Sequence, residues 1–281
     1  MAALALLLAL LPVSGALAAA KKKGGGARLS TATATASVSG AFSPVTAIAT
    51  CPKGTRAVSG GYTTSVPNPP SSWLNVSESQ LVGKRSWQVS GAEYFGGSDT
   101  LTAYAYCQAF SGKIQVREAQ VAVDPTVGSS AVVQANCPGG TKAISGGFST
   151  EVANASDSTY VSRSIAAGGS RWVVDATRLT GAAGRSLLAH VYCAALKKLP
   201  SRSAQTAVGG PLGSAHAATT PACPKGRSAR GGGFATSTPV GGLLNAALVY
   251  ETRRAGAVWS SSAAPSSGST SITLLTAAYC R

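Results

Sequence analysis

Cys51-Pro52-Lys53-Gly54, running on to Gly60-Gly61-Tyr62, is the stretch that decides the fold, because the chain writes it three times. It returns as Cys137-Pro138-Gly139-Gly140 with Gly146-Gly147-Phe148, and as Cys223-Pro224-Lys225-Gly226 with Gly232-Gly233-Phe234. The copies start at 51, 137 and 223, a spacing of 86. A fixed period of this length marks a repeat architecture. From residue 30 the 281-residue chain therefore divides into three repeats, 30–113, 114–199 and 200–281. Proline after the cysteine fixes φ, and the glycine two places on supplies a turn into the next strand. The Gly-Gly pair clears side chains where a backbone or a ring must come close.

The six cysteines follow the same period. They stand at 51, 107, 137, 193, 223 and 280, two per repeat, 56, 56 and 57 residues apart. Six cysteines allow 15 pairings; the repeat selects Cys51–Cys107, Cys137–Cys193 and Cys223–Cys280, each repeat closing itself. There is no C-x-x-C pair and there are only two histidines, so neither a metal nor any cofactor is expected.

Around the cysteines the pattern has the period of a strand. Leu101, Ala103, Ala105 and Cys107 alternate with Thr102, Tyr104 and Tyr106, and the same places hold Leu187 to Cys193 and Leu274 to Cys280. Tyr106, Tyr192 and Tyr279 precede the second cysteine and so point to the other face. Upstream lies a hairpin, from Val76 through Gly83 to Trp87, from Val161 through Gly168-Gly169 to Trp172, and from Val249 through Gly256 to Trp259. With β-prone segments before each first cysteine, this gives five or six short strands per repeat. The predicted fold is all-β, three tandem disulfide-closed antiparallel sandwich or jelly-roll-like repeats, with a closed threefold β-prism as the alternative.

Residues 1–20 read as a signal peptide. Ala2 to Leu11 is unbroken apolar sequence, Pro12 and Gly15 interrupt it, and Ala16 to Ala20 offers small-residue cleavage sites, although no Lys or Arg precedes the run. A basic, glycine-rich leader, 21–29, follows with Lys21-Lys22-Lys23. No later segment is apolar and long enough to span a bilayer, and the paired cysteines suit an oxidising compartment. The expected location is secreted or extracellular.

Charge is sparse but one-sided, with Lys+Arg 24 against Asp+Glu 9, a net +15 on only 12% charged residues. Anionic or carbohydrate polymers of the cell envelope are the expected partners. Nucleic acid is not, because the basic residues neither recur nor interleave with aromatics along a groove. No catalytic constellation recurs. Glu78 and Glu251 match each other but Arg163 takes the middle place, and His190 stands where the other repeats have Tyr104 and Ala277. Asn75-Val76-Ser77 and Asn154-Ala155-Ser156 fit the glycosylation pattern. The recurrent Trp87, Trp172 and Trp259 are the candidates for a repeated ligand surface, each able to stack on a sugar ring. Arg230 joins them because it replaces Val58 and Ile144.

The succession of Cys-Pro-x-Gly, Gly-Gly-aromatic, Trp and closing Tyr-Cys resembles repeats of largely uncharacterised exported proteins of actinobacterial type. That resemblance implies secretion and a β-rich repeat without an assigned activity. Cys-Pro-x-Gly also opens the repeats of vitelline membrane outer layer protein, a threefold β-prism, although that family's acidic Asp-Asp-Thr-Ala signature is absent and these repeats are longer. The sequence thus predicts a non-enzymatic secreted or cell-surface β-repeat protein that binds glycan or envelope material or serves a structural role. A secreted hydrolase with its site between repeats is the alternative.

Overall fold

The computed structural model describes residues 29–109, 112–150, 158–180, 184–196, 199–237, 246–266 and 272–281. Residues 1–20, read above as a signal peptide, all of the leader but Leu29, and the Asn154 sequon lie outside the described residues. Repeat 1 supplies β1 (Ser30–Ser39), β2 (Pro44–Thr50), β3 (Arg56–Thr63), β4 (Leu74–Val82), β5 (Ser86–Glu93) and β6 (Ser98–Gln108). Repeat 2 supplies β7 (Gln115–Val123), β8 (Ser130–Asn136), β9 (Lys142–Ser149), β10 (Thr159–Ala167), β11 (Arg171–Arg178) and β12 (Arg185–Ala194). Repeat 3 supplies β13 (Ser201–Val208), β14 (His216–Thr219), β15 (Ala229–Thr236), β16 (Ala247–Ala255), β17 (Val258–Pro265) and β18 (Ile272–Cys280). The fold is all-β.

The strands form three six-stranded antiparallel sheets, ordered β1-β6-β3-β16-β17-β14, β2-β5-β4-β9-β12-β7 and β13-β18-β15-β10-β11-β8. Each sheet takes the first, third and sixth strands of one repeat and the second, fourth and fifth of another. Within a repeat the two half-sheets face each other as a sandwich, and between repeats every sheet is shared. The ring closes, so the chain is a threefold prism of sandwiches rather than three beads in a row.

Period-two alternation builds each sandwich core. Leu101, Ala103, Ala105 and Cys107 are all fully buried, and Val45, Ala47 and Ala49 face them from β2. The disulfides are those expected, Cys51–Cys107, Cys137–Cys193 and Cys223–Cys280, with Cα–Cα distances of 5.5, 5.7 and 5.6 Å. Each pins the end of the second strand to the sixth and so staples one half-sheet to the other. Closing a loop of this length contributes up to about 4 kcal/mol in the chain-entropy account. The turn between them is as read: Gly54, Gly140 and Gly226 have φ of 84°, 76° and 80°, a left-handed conformation that glycine adopts without strain. Thr55, Thr141 and Arg227 each donate their N–H to the preceding proline carbonyl.

The seams between repeats use the motif residues that recur. The third strand of one repeat meets the fourth of its neighbour over only two residue pairs, as at Tyr62↔Thr252 and Thr63↔Glu251. Beside each seam lies a tryptophan. Trp87, Trp172 and Trp259 are 1% exposed, and each indole covers the first glycine of a pair so closely that a Cβ at Gly60, Gly146 or Gly232 would overlap the ring. Each ring also meets the closing tyrosine of another repeat edge to face: Trp87–Tyr192 at 5.6 Å, Trp172–Tyr279 at 5.7 Å and Tyr106–Trp259 at 5.5 Å. The indole N–H groups donate to Ser79, Ser164 and Thr252 at 3.0, 2.9 and 2.9 Å. This corrects the expectation that the tryptophans offer a sugar-stacking surface: both their faces and their donors are spent inside the protein.

Candidate functional site

Because the recurrent residues hold the prism together, a site must be sought where the repeats differ. Arg230 is the first such place. At one end of the third strands it shares a hollow with Val58, Ile144, Gln108, Leu199 and Arg281, and its backbone carbonyl accepts from the Ser59 hydroxyl. Burial, then the charges of Arg281 and Arg254, hold its guanidinium below the usual arginine value. The hollow measures 10 Å³, room for at most one water. Arg230 is partly exposed beside this hollow, which is itself too small to hold a ligand. The centre of the prism, lined by the glycine pairs and tryptophans, holds a cavity of only 20 Å³.

The polar positions that vary among repeats find partners on the sheets, although Nε of Arg163 and Nε2 of His190 are buried without a hydrogen-bond partner among the described residues. Glu78 accepts from the Gln80 amide, from Gln88 at 2.8 Å and from the Ser90 hydroxyl at 2.7 Å. Its counterpart Arg163 pairs with Asp175 at 2.6 Å, and Glu251 pairs with Arg253 at 3.3 Å. His190 is buried, with Nδ1 3.3 Å from the Glu118 carboxylate. Burial lowers its pKa, opposed by Glu118 and more weakly by Glu78. Asn75 is buried and donates to the Thr159 carbonyl at 3.2 Å, so its amide is committed to the seam and unsuited to a glycan. Among the described residues no cluster of His, Cys, Asp or Glu could hold a metal.

A larger cleft lies at the junction of repeats 1 and 2. It measures 320 Å³ and is lined by Arg56, Ala57, Leu81, Gly83, Lys84, Lys113, Ile114 and Val116. The β4–β5 hairpin forms one wall. Gly83 turns it with φ 65°, and the Lys84 carbonyl accepts from Ala57 N–H at 3.3 Å, docking the hairpin tip on the start of β3 beside Arg56. The other wall is the run into β7, with Val116 opposite Tyr192 in the β7–β12 pairing. That same Tyr192 accepts from Leu81 N–H at 2.7 Å, so one buried phenol fixes both walls. Lys84 and Lys113 are exposed, Arg56 is partly so, and none of the three has an acidic partner among the described residues. Below them Ile114, Leu81 and Val116 present apolar surface, Val116 being 42% exposed.

The residues that line the cleft are particular to this junction. An 86-residue step puts Lys142, Pro200 and Arg202 at the places of Arg56, Ile114 and Val116, and the hairpin of repeat 2 has Gly169 after its turn glycine where repeat 1 has Lys84. Sequence reasoning passed over these residues because it sought recurrence. The available signal was a lysine at one hairpin tip alone and an isoleucine at one linker alone.

No protein-family model matches the chain, and no curated protein matches it. Its function is therefore argued from the site.

Proposed function

We propose that this chain is a non-enzymatic extracellular protein that binds anionic cell-envelope material, and that the cleft between repeats 1 and 2 is where it does so. The observation that carries this reading is the set of three cations, Arg56, Lys84 and Lys113, around one cleft with no neutralising carboxylate among the described residues. Unpaired cations at a concave, partly apolar surface attract anions more strongly than the same charges spread over open surface. Three disulfides suit an oxidising environment, and no helix among the described residues is long and apolar enough to cross a membrane. The hydrolase alternative gains no support from the three spaces described between repeats. The junction cleft, the axial hollow and the central cavity have neither an acid nor a histidine among their lining residues.

The test is titration of the mature protein with a polyanionic glycan and with a neutral glycan of similar size, at low and raised salt. Salt-sensitive binding of the polyanion alone is expected, weakened roughly tenfold by Lys84→Glu with Lys113→Glu, about 1.4 kcal/mol. Equal binding of both glycans, or a double variant that binds like the parent, overturns the reading.

A further inference from the structure

The cleft is more than a cluster of charge, because its cations stand over an apolar floor. From the geometry we infer that it seats a single-chain amphiphile with a compact anionic head, a phosphate or a carboxylate, and a short apolar tail. This rests on the proposed function and names the ligand class for the same site.

A purely anionic ligand would use the cations of the cleft and gain nothing from the hydrocarbon beside them. Here Ile114 and Val116 on one wall and Leu81 and Ala57 on the other leave hydrocarbon facing the same space as the cations. The volume of 320 Å³ is at the lower bound of small-ligand sites. It equals the liquid volume of roughly ten waters, room for a head and several methylenes. Water in contact with those apolar groups is displaced favourably by methylenes, while the lysines and Arg56 hold the head. Arginine can present two parallel N–H donors to a phosphate or carboxylate, and the lysines act as point charges. Both walls are rigid, since Tyr192 ties Leu81 to the β12 strand on which Val116 is paired, and a preformed cleft lowers the ordering cost of binding.

The experiment is calorimetric titration of the intact mature protein with octyl phosphate below its micelle-forming concentration, against inorganic phosphate and octyl glucoside. Octyl phosphate is expected to bind one to one, about 50-fold more tightly than inorganic phosphate, corresponding to about three buried methylenes, with a negative heat-capacity change. Octyl glucoside is expected to bind at least tenfold more weakly than octyl phosphate. Val116→Ser with Ile114→Asn should remove most of the preference over inorganic phosphate. Lys84→Gln, at an exposed hairpin tip, should weaken binding of both phosphates and leave thermal unfolding unchanged. Equal binding of octyl phosphate and inorganic phosphate, with polyanion binding intact, overturns the amphiphile inference alone. Equal binding of octyl glucoside and octyl phosphate overturns the amphiphilic anion, and absence of polyanion binding overturns the proposed function; the two failures are read separately.

Discussion

The phenol oxygen of Tyr192 accepts a 2.7 Å hydrogen bond from the backbone N–H of Leu81, one repeat away in sequence. The same bond joins Tyr279 to Ala166 at 2.7 Å and Tyr106 to Arg254 at 2.6 Å. At each seam the strands share only two residue pairs, so one side-chain oxygen does what a longer ladder would do elsewhere. Burial raises the pKa of all three phenols, which keeps them neutral throughout the physiological range.

Tyr192→Phe keeps the ring against Trp87 and removes only the acceptor, leaving the Leu81 N–H without its partner. The expected loss is about 1–3 kcal/mol. Urea unfolding followed by circular dichroism checks it, with a lower midpoint and an unchanged slope as the expected outcome. A midpoint equal to that of the parent would mean that the hydroxyl contributes nothing to the seam.

Two glycines of the second repeat should respond oppositely to alanine. At Gly146 the new Cβ would overlap the Trp172 ring, which is fixed by its Ser164 hydrogen bond and by Tyr279. A loss of about 3 kcal/mol or more, or failure to fold, is expected. At Gly139 a Cβ meets nothing within 4 Å, and the other repeats already carry Lys53 and Lys225 there. Gly139→Ala should lie within about 0.5 kcal/mol of the parent, measured in the same unfolding assay.

How much of this was readable in advance follows from what each residue does locally. Strands, turns and disulfides were legible because alternation, the Cys-Pro-x-Gly turn and the cysteine spacing are properties of a single repeat. The sharing of sheets was not, because Gly60-Gly61 clears space equally well for a neighbour within a repeat or across a seam. Trp87 could be read as a sugar platform for the same reason: sequence gives its recurrence but not the Tyr192 ring that covers it. The cleft was missed because Lys84, Lys113 and Ile114 come from a hairpin tip and a linker that no period connects.

The disulfides should differ in their resistance to reduction in the folded protein. Cys51 and Cys107 are both fully buried, and Cys223 and Cys280 are 9% and 0% exposed, whereas Cys137 is only partly buried. Thiolate attack requires access to sulfur, so Cys137–Cys193 should open first under a mild reductant. Timed alkylation and peptide mass mapping would show it; first loss of Cys51–Cys107 would contradict the burial argument.

His190 gives stability a pH dependence whose sign is fixed. Burial lowers its pKa below the ordinary 6.5, against the smaller opposing effects of Glu118 and Glu78. The unfolded chain therefore takes up the proton first as pH falls. Stability is full above the unfolded value and declines as pH drops below the ordinary 6.5 to the lowered folded value. His190→Ala, the residue that Ala277 already supplies in repeat 3, should flatten that part of the profile in thermal melts at a series of pH values. A slope that survives the substitution would assign it to other groups.

An isolated repeat should not behave as a monomer. Residues 30–113 would retain the Cys51–Cys107 staple and their own half-sheets, but β3 would lose β16 and β4 would lose β9. Trp87 would lose Tyr192, Leu81 its acceptor, and Asn75 the Thr159 carbonyl. The exposed edges and the uncovered indole are complementary to another copy of the same repeat, since each seam repeats one pattern around the ring. A closed trimer satisfies every lost contact, while open association leads to aggregation. Sedimentation of the excised, oxidised repeat is expected to give a trimer or aggregate at micromolar concentration. A stable folded monomer would show that the sandwich alone holds the repeat and that the shared seams contribute little.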